Sequence, residues 1–318
     1  MSRDKTHVIL NPASSAGRTG RRQDEIEAAL ARHLGRGFIL RVTRRPREAT
    51  AFARQAALEG TDLVIAVGGD GTIQEVVNGL MEAGASPPSG PALGIVNTGT
   101  GHGFALSLGL PVGLDAQCAA IASGSRRRVD IGRAVYADVD GRRVERYFVN
   151  ECQAGIGGRV VEKVQAGHKK LGGLVGFGLA ALTTALSYPN LPMTVSIDGG
   201  PERSGSFIGI VAANGPLTAG GMKLAPAALV ADGRLDILFM NGQTLLERLR
   251  NFPKIYSGRH IESPGFSYLR AKTLSLDSEE PVFFEADGEP FGLLPCRIEV
   301  VPAALALRAP GPAEGGEP

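Results

Sequence analysis

Residues Ala66 to Val76 read AVGGDGTIQEV, an apolar stretch followed by two glycines, an aspartate, a third glycine and a threonine. The preceding run DLVIAV has the pattern of a buried strand. The following IQEVVNGLM places Ile73, Val76, Val77, Leu80 and Met81 on one helical face, so the glycines are expected to form a strand-to-helix turn. Such a turn points backbone N–H groups outward at the positive end of a helix, and without Cβ atoms a large anion reaches the main chain closely. Phosphate is the natural guest. Asp70 would repel it unless a cation stands between them or the carboxylate handles a proton, and this combination points to phosphoryl transfer with magnesium.

The elements that must position this turn repeat along the first third of the chain. THVILNP is a strand leading into ASSAGRTGRR, followed by the helix DEIEAALARHL, with Ile26, Ala29, Leu30 and Leu34 on one side. FILRVT with REATAFARQAALEG, DLVIAV with GGDGT, and ALGIVN with TGTGHG and FALSLGL are the further strand, loop and helix units. Alternation of this kind makes a mostly parallel α/β sheet, whose ligands bind at the carboxyl ends of the strands. Strands one, three and four deliver NPASSAG, GGDGT and NTGTGHG to that edge. Each loop alone could be an ordinary tight turn; three on one edge make a floor of donors suited to a polyphosphate.

After about Ser125 short strands and turns take over. RRVDIGRAVYADVDGRRVERYFVNECQAGIG reads as two strands about Asp140 and Gly141, and MTVSIDGGPERSGSFIGIVAAN as another hairpin; LDILFMN, TLSLDS, PVFFEAD and CRIEVVPA add further strands. We expect an α/β nucleotide-binding domain over residues 1–125 and a mainly antiparallel β-sandwich with inserted helices over 126–308. QTLLERLRNFPKIYSG is a helix on the rim of the second domain, and 309–318 form a tail of disordered composition. LGGLVGFGLAALTTALSY, Leu171 to Tyr188, is uncharged and nearly long enough to span a membrane. Its glycines and hydroxyl residues, with Pro189 and Pro192 after it, favour a helix buried in the protein or lining an apolar pocket.

The chain of 318 residues is 43% hydrophobic, and its 34 Lys and Arg against 32 Asp and Glu leave a net charge of +2, which provides no overall pull toward nucleic acid. Cys118, Cys152 and Cys296 are too widely spaced for a disulfide framework or a zinc site, and a reducing cytoplasmic setting fits them. The polar MSRDKTHVILNP does not resemble a secretory signal.

NPASSAG, GGDGTIQEVVNG, GTGHGFALSLGLP, ADGRLDI and ADGEP stand in the order and approximate spacing of the diacylglycerol kinase catalytic domain family, which includes bacterial lipid kinases and the sphingosine and ceramide kinases. The chain resembles a bacterial member from Asn11 to about Pro302. The resemblance implies an ATP site made by Asn11, Pro12, Ala13, Ser14 and Ser15, by Thr43, by Gly68, Gly69, Asp70, Gly71, Thr72, Ile73 and Gln74, and by Gly99 and Thr100. It further implies a structural magnesium at Asp232, Leu235 and Ile237, and a catalytic base at Glu289. On residue chemistry alone, Glu285, Asp287 and Glu289 of EADGEP read equally as solvated turn residues. The resemblance selects Glu289 as the base, with Asp287 supporting it, and leaves Asp70 to the magnesium and water network at the phosphates or, as second choice, to the base role.

The chain departs from the family pattern at two loops. Gly101, His102 and Gly103 stand where many bacterial members carry a variable residue, Asn and Asp, and Ser15 stands where glycine is usual, with Gly17 following. Arg18, Arg21 and Arg22 follow the first phosphate loop, whereas Arg126, Arg127 and Arg128 read as solvated charge. Lys169 and Lys170 could meet anionic headgroups. The expected activity is transfer of the ATP γ-phosphate, with Mg²⁺, to a free hydroxyl of a diacylglycerol-like or sphingoid lipid, the lipid entering between the domains against the Leu171 to Tyr188 helix. The expected setting is the cytoplasm with transient contact at the inner membrane face, without nucleic acid, and with a homodimer allowed. The alternatives are an NAD kinase or other soluble-substrate kinase sharing GGDGT, and a catalytically silent lipid or nucleotide binder.

Overall fold

The computed structural model describes residues 5–85, 90–99, 101–166, 173–218 and 221–310, with 164–166 and 173–179 described by their backbone alone. Thr100, Lys169, Lys170, the first residues of the Leu171 to Tyr188 segment and the tail beyond 310 lie outside these. The chain forms two compact units, Met1–Asp130 with Ala303–Pro318, and Ile131–Pro302.

In the first unit, β1 (Thr6–Leu10), β2 (Ile39–Val42), β3 (Leu63–Gly68) and β4 (Ala92–Asn97) run parallel, with β1 between β2 and β3 and β4 beyond β3. Every residue of β1, β3 and β4 is buried, which is why their sequences are unbroken apolar runs rather than alternating ones. Helices α1 (Arg18–Arg21), α2 (Gln23–Leu34), α3 (Glu48–Leu58), α4 (Asp70–Glu82), α5 (Gly103–Ser107) and α6 (Leu114–Ser123) connect and cover them. The core takes Ile26, Ala29 and Leu30 from α2 and Ile73, Val76, Val77 and Leu80 from α4, as the periodicity predicts. The chain passes from β1 to β2 on one side and returns to β3 on the other. Such a reversal opens a crevice at the carboxyl ends of the two central strands.

The second unit begins within β5 (Ser125–Ala137), which forms an antiparallel hairpin with β6 (Arg143–Phe148) closed by Asp138 and Arg142. β7 (Glu151–Gly155), α7 (Ile156–Ala166), α8 (Gly173–Ser187), β8 (Leu191–Ile197), β9 (Arg203–Ala213) and β10 (Leu235–Asn241) follow. Then come α9 (Leu245–Ser257), β11 (Phe266–Ala271), β12 (Thr273–Asp277), β13 (Phe283–Ala286), β14 (Glu289–Leu293) and β15 (Cys296–Ala309). β9 pairs with β8 through Arg203–Phe207 and with β7 and β10 through Gly209–Ala213, all antiparallel, so one strand serves two sheets. Met193, Val195, Ile210, Ile237, Leu274 and Phe284 fill the sandwich core. β15 starts in this unit beside β12 and ends in the first unit, where Leu307 pairs in parallel with Leu93 of β4. Residues 303–308, expected in the second domain, therefore group with the first unit, and Ala309, expected in the tail, ends β15.

α8 is a packed helix of 15 residues, with Ala180 and Ala181 buried against Val160 of α7 and Phe252 of α9. Among the described residues no helix is long and apolar enough to cross a membrane. Cys118, Cys152 and Cys296 are free and buried, and burial pushes the Cys118 thiol up to about 11, so it stays protonated and unreactive.

Candidate active site

The three donor loops converge at the crevice of the first unit. Asn11 leaves β1 with its N–H on the Val67 carbonyl (2.9 Å), its Nδ2 donating to Thr72 Oγ1 (3.0 Å) and its Oδ1 accepting from Ala13 N (3.0 Å). One side chain thus ties the first loop to the start of α4. Ser15, Ala16 and Gly17 then hold successive φ values of 57°, 55° and 79°. This left-handed run costs two non-glycine residues backbone strain, and Ser15 is braced by Arg18 Nη2 donating to its Oγ (3.3 Å).

GGDGT is not a loop over its whole length. Gly69 is the extended cap and Asp70 already opens α4, because a carboxylate in the first turn meets the positive end of the helix dipole. The main chain of Gly69 lies directly against that of Gly99. A Cβ on Gly99 would stand 2.7 Å from Gly69 Cα, and one on Gly69 would stand 3.4 Å from both Gly99 Cα and Ser14 Oγ. Ser14, Gly69 and Gly99 are therefore neighbours, one from each predicted loop. Gly99→Ala is expected to force these loops apart at an overpacking cost of about 1–3 kcal/mol, raising the ATP KM roughly fivefold to a hundredfold in steady-state kinetics.

Asp70 is held on both oxygens. Oδ1 accepts from Asn97 Nδ2 (3.4 Å) and Oδ2 from Gly103 N (3.3 Å), so this carboxylate joins the start of α4 to the fourth loop. Burial raises its pKa, opposed by the Gly103 N–H, the charge of His102 and the Asn97 amide. Asn97 also accepts from Gly99 N (2.8 Å), and Thr19 Oγ1 shares a hydrogen bond with Thr98 Oγ1 (2.7 Å). Sequence reasoning missed Asn97, Thr98 and Thr19, although the ALGIVNTGTGHG block contains the first two. Ile73 and Gln74 are buried, and Thr43, also buried, donates its N–H to Leu10 O (2.9 Å). Arg22 pairs with Glu25 (2.7 Å), and Arg126 and Arg127 donate to the Gly90 and Leu108 carbonyls, so this last pair braces loops instead of standing solvated.

In the second unit the Asp-Gly pair of EADGEP makes a two-residue hairpin turn between β13 and β14, with φ of 51° at Asp287 and 82° at Gly288. Glu289 stands exposed at its end. Asp287 points inward, its Oδ2 accepting from Val149 N (2.7 Å) and its Oδ1 from Asn150 N (2.9 Å) and Glu151 N (3.1 Å). Asn214 Nδ2 donates to Val149 O (2.9 Å), and Thr218 donates to Glu151 Oε1, so buried polar groups from distant segments form the seat of the hairpin. Nothing in the local sequence of VNECQ signals this role.

Glu285 is buried below the turn, accepting Gly288 N at 2.9 Å, and burial pushes its carboxyl up to about 8, with Asp287 and Glu289 adding to the rise. A carboxyl raised on folding is more protonated in the native than in the unfolded chain, so native stability falls as pH climbs from about 4.5 to about 8. Glu285→Gln is expected to gain stability relative to the parent across that interval and to hold a constant difference above it, measured by urea unfolding at stepped pH.

Asp232 precedes β10, its Oδ1 accepting from Arg234 N (3.1 Å), while its buried Oδ2 has no hydrogen-bond donor and lies 3.5 Å from Arg270 Nη1. The cation that this oxygen faces is the Arg270 guanidinium. Ile237 is flanked by Ala212 and Leu269 within the sheet, which commits its main chain to strand pairing, and Leu235 is paired beside Ala271; these two do not complete a ligand set with Asp232. Among the described residues no group of three or more His, Cys, Asp or Glu is arranged around a metal position.

Comparison with known proteins agrees with this geometry. Residues 5–134 match the diacylglycerol kinase catalytic domain, and residues 150–309 match the YegS C-terminal NAD kinase beta sandwich-like domain. The chain is 31% identical to a Chromohalobacter salexigens protein named "Probable lipid kinase YegS-like", over 96% of this chain and 93% of that one. It is 34% identical to the diacylglycerol kinase of Bacillus subtilis over 78% of each. The crystal structure of a diacylglycerol kinase from Bacillus anthracis shares the fold at a TM-score of 0.70 and 20% identity, over 98% of both chains. With its phosphate-type loops on one half and its DGE hairpin on the other, this chain belongs to the lipid kinase family that joins a diacylglycerol kinase catalytic domain to a YegS-type β-sandwich.

Proposed function

We propose that the protein transfers the γ-phosphate of ATP to the free hydroxyl of a diacylglycerol-like lipid. The approach of Ser14, Gly69 and Gly99 at one sheet edge carries the reading, since main-chain donors without intervening Cβ atoms suit a triphosphate. Asn11, Pro12, Ala13 and Ser15 shape the first loop of that cradle, and Gly68, Gly71 and Thr72 hold the turn into α4, with Thr43, Ile73 and Gln74 packed behind. Asp70 would help to hold magnesium and its water at the phosphates. Glu289 takes the proton of the attacking hydroxyl, and Asp287 holds the hairpin that carries it. Magnesium would neutralise charge on the transferring phosphoryl group. A glycerolipid acceptor is supported by the name of the Bacillus subtilis relative.

Incubation with labelled ATP, Mg²⁺ and a panel of diacylglycerol, sphingosine, ceramide and NAD tests the reading, with Asp70→Asn in parallel. Label is expected in diacylglycerol and to be lost in the variant. Label in NAD alone would assign a soluble-substrate kinase, and label in no acceptor would leave a binding protein.

A further inference from the structure

The strand that carries Glu289 is weakly held just after it. In the sheet β14 pairs with β13 alone, at the end of the strand order. Pro290 stands opposite Glu285 without an N–H to give, and the register slips between Phe284 and Glu285, so that Gly292 faces Phe284 and Phe291 faces no residue of β13. A bulge of this kind re-aims a neighbouring side chain, and here it leaves two consecutive residues beside the proposed base with little support from the ladder.

Other groups hold them. Phe291 is buried, its ring stacked on Tyr136 of β5 (5.9 Å between centroids, 25° between planes) and edge-on to Phe284 (5.9 Å, 72°). The guanidinium of Arg146, on β6, lies over the same ring, 4.1 Å from its centroid, and Nη1 donates to the Pro290 carbonyl (3.5 Å). One side chain therefore reaches both residues that the ladder leaves out. Among the described residues no carboxylate comes within ion-pair distance of Arg146, although Arg133, Glu145 and Tyr147 of the same hairpin engage one another (Arg133–Glu145 3.3 Å, Tyr147 Oη–Glu145 Oε1 2.6 Å). Arginine suits this place because its flat face stacks on a ring while the N–H groups at its rim stay free to donate.

We infer that Arg146 is a positioning residue for Glu289. It fixes Pro290 and Phe291, and through them the direction in which the preceding carboxylate leaves the turn. Asp287 seats the hairpin ahead of Glu289, and Arg146 holds it behind. The inference rests on the reading of Glu289 as the base, and a displacement of about 1 Å in such a group costs up to about 10²-fold in rate.

The test uses the full chain, comparing the parent with Arg146→Ala and Arg146→Lys, each alone and combined with Glu289→Gln, on ATP, Mg²⁺ and a short-chain diacylglycerol. Arg146→Ala is expected to lower kcat about tenfold or more with the ATP KM within about twofold, and Arg146→Lys, which keeps a cation for the ring, to recover part of the loss. In the Glu289→Gln background the same substitutions should change kcat less than about twofold, because no base remains to be aimed. Hydrogen exchange read by mass spectrometry should quicken over residues 287–293 in Arg146→Ala while the rest of the second unit keeps parental rates, which separates a local brace from general unfolding. A parental kcat in Arg146→Ala, an equal fall in both backgrounds, or unchanged exchange over 287–293 would each overturn the inference. Glu289→Gln at parental kcat, or a parent that labels no lipid, would instead remove the base or the kinase reading, and the exchange rates would still decide whether Arg146 braces β14.

Discussion

Glu289→Gln is expected to lower kcat for lipid phosphorylation by about 10²–10⁴, the usual share of a positioned general base, while leaving the KM for ATP near its parent value. Gln keeps the size and hydrogen-bonding reach of Glu and removes only the capacity to take a proton. The residue is exposed at the end of a two-residue turn, so the substitution carries little folding cost. The measurement is steady-state kinetics of both substrates with an unfolding curve alongside. A variant that retains more than about a third of the parent kcat would return the base role to another group, with Asp70 next to be tested.

The second large effect belongs to Asp287. Asp287→Ala strips the acceptor from three main-chain N–H groups, those of Val149, Asn150 and Glu151. A hydrogen bond to a charged acceptor contributes about 1.5–3 kcal/mol, so a loss of about 3 kcal/mol or more in unfolding free energy is expected, together with loss of activity as the hairpin bearing Glu289 leaves its seat. Asp287→Asn, which retains one carbonyl acceptor, should recover part of the stability and part of the activity. The two variants therefore separate positioning from chemistry: Glu289→Gln loses rate at parental stability, whereas Asp287→Ala loses both together.

Much of the first unit is legible in the sequence because its signals are local. Unbroken apolar runs give β1, β3 and β4, and the 3.6-residue period gives α2 and α4 their buried faces. The strand-to-helix turn at GGDGT was legible as well, although the helix starts at Asp70 and leaves a shorter loop than five glycine-rich residues suggest.

What was not legible depends on partners far along the chain. Asp287 reads as a turn residue until its donors are traced to main-chain N–H groups 136 to 138 residues away. β14 was hidden because Pro290 directly after Glu289 argues against a strand, yet it sits at an irregular point of the register, opposite Glu285. β11, FSYLRA, was missed for want of strict alternation. α9 was legible as a rim helix, but periodicity cannot say which face turns inward when the buried side is fixed by Arg248 and Asn251.

The path of β15 bears on how the protein is made. Ala304, Leu305, Ala306, Leu307 and Ala309 are buried within the first unit, although the whole of the second unit, Ile131–Pro302, comes before them in the chain. The first unit thus waits for this strand until residues 131–302 have been translated, and a chain cut short before it would leave an open flank beside Leu93. The sheet of the first unit therefore closes only after the second unit has been made.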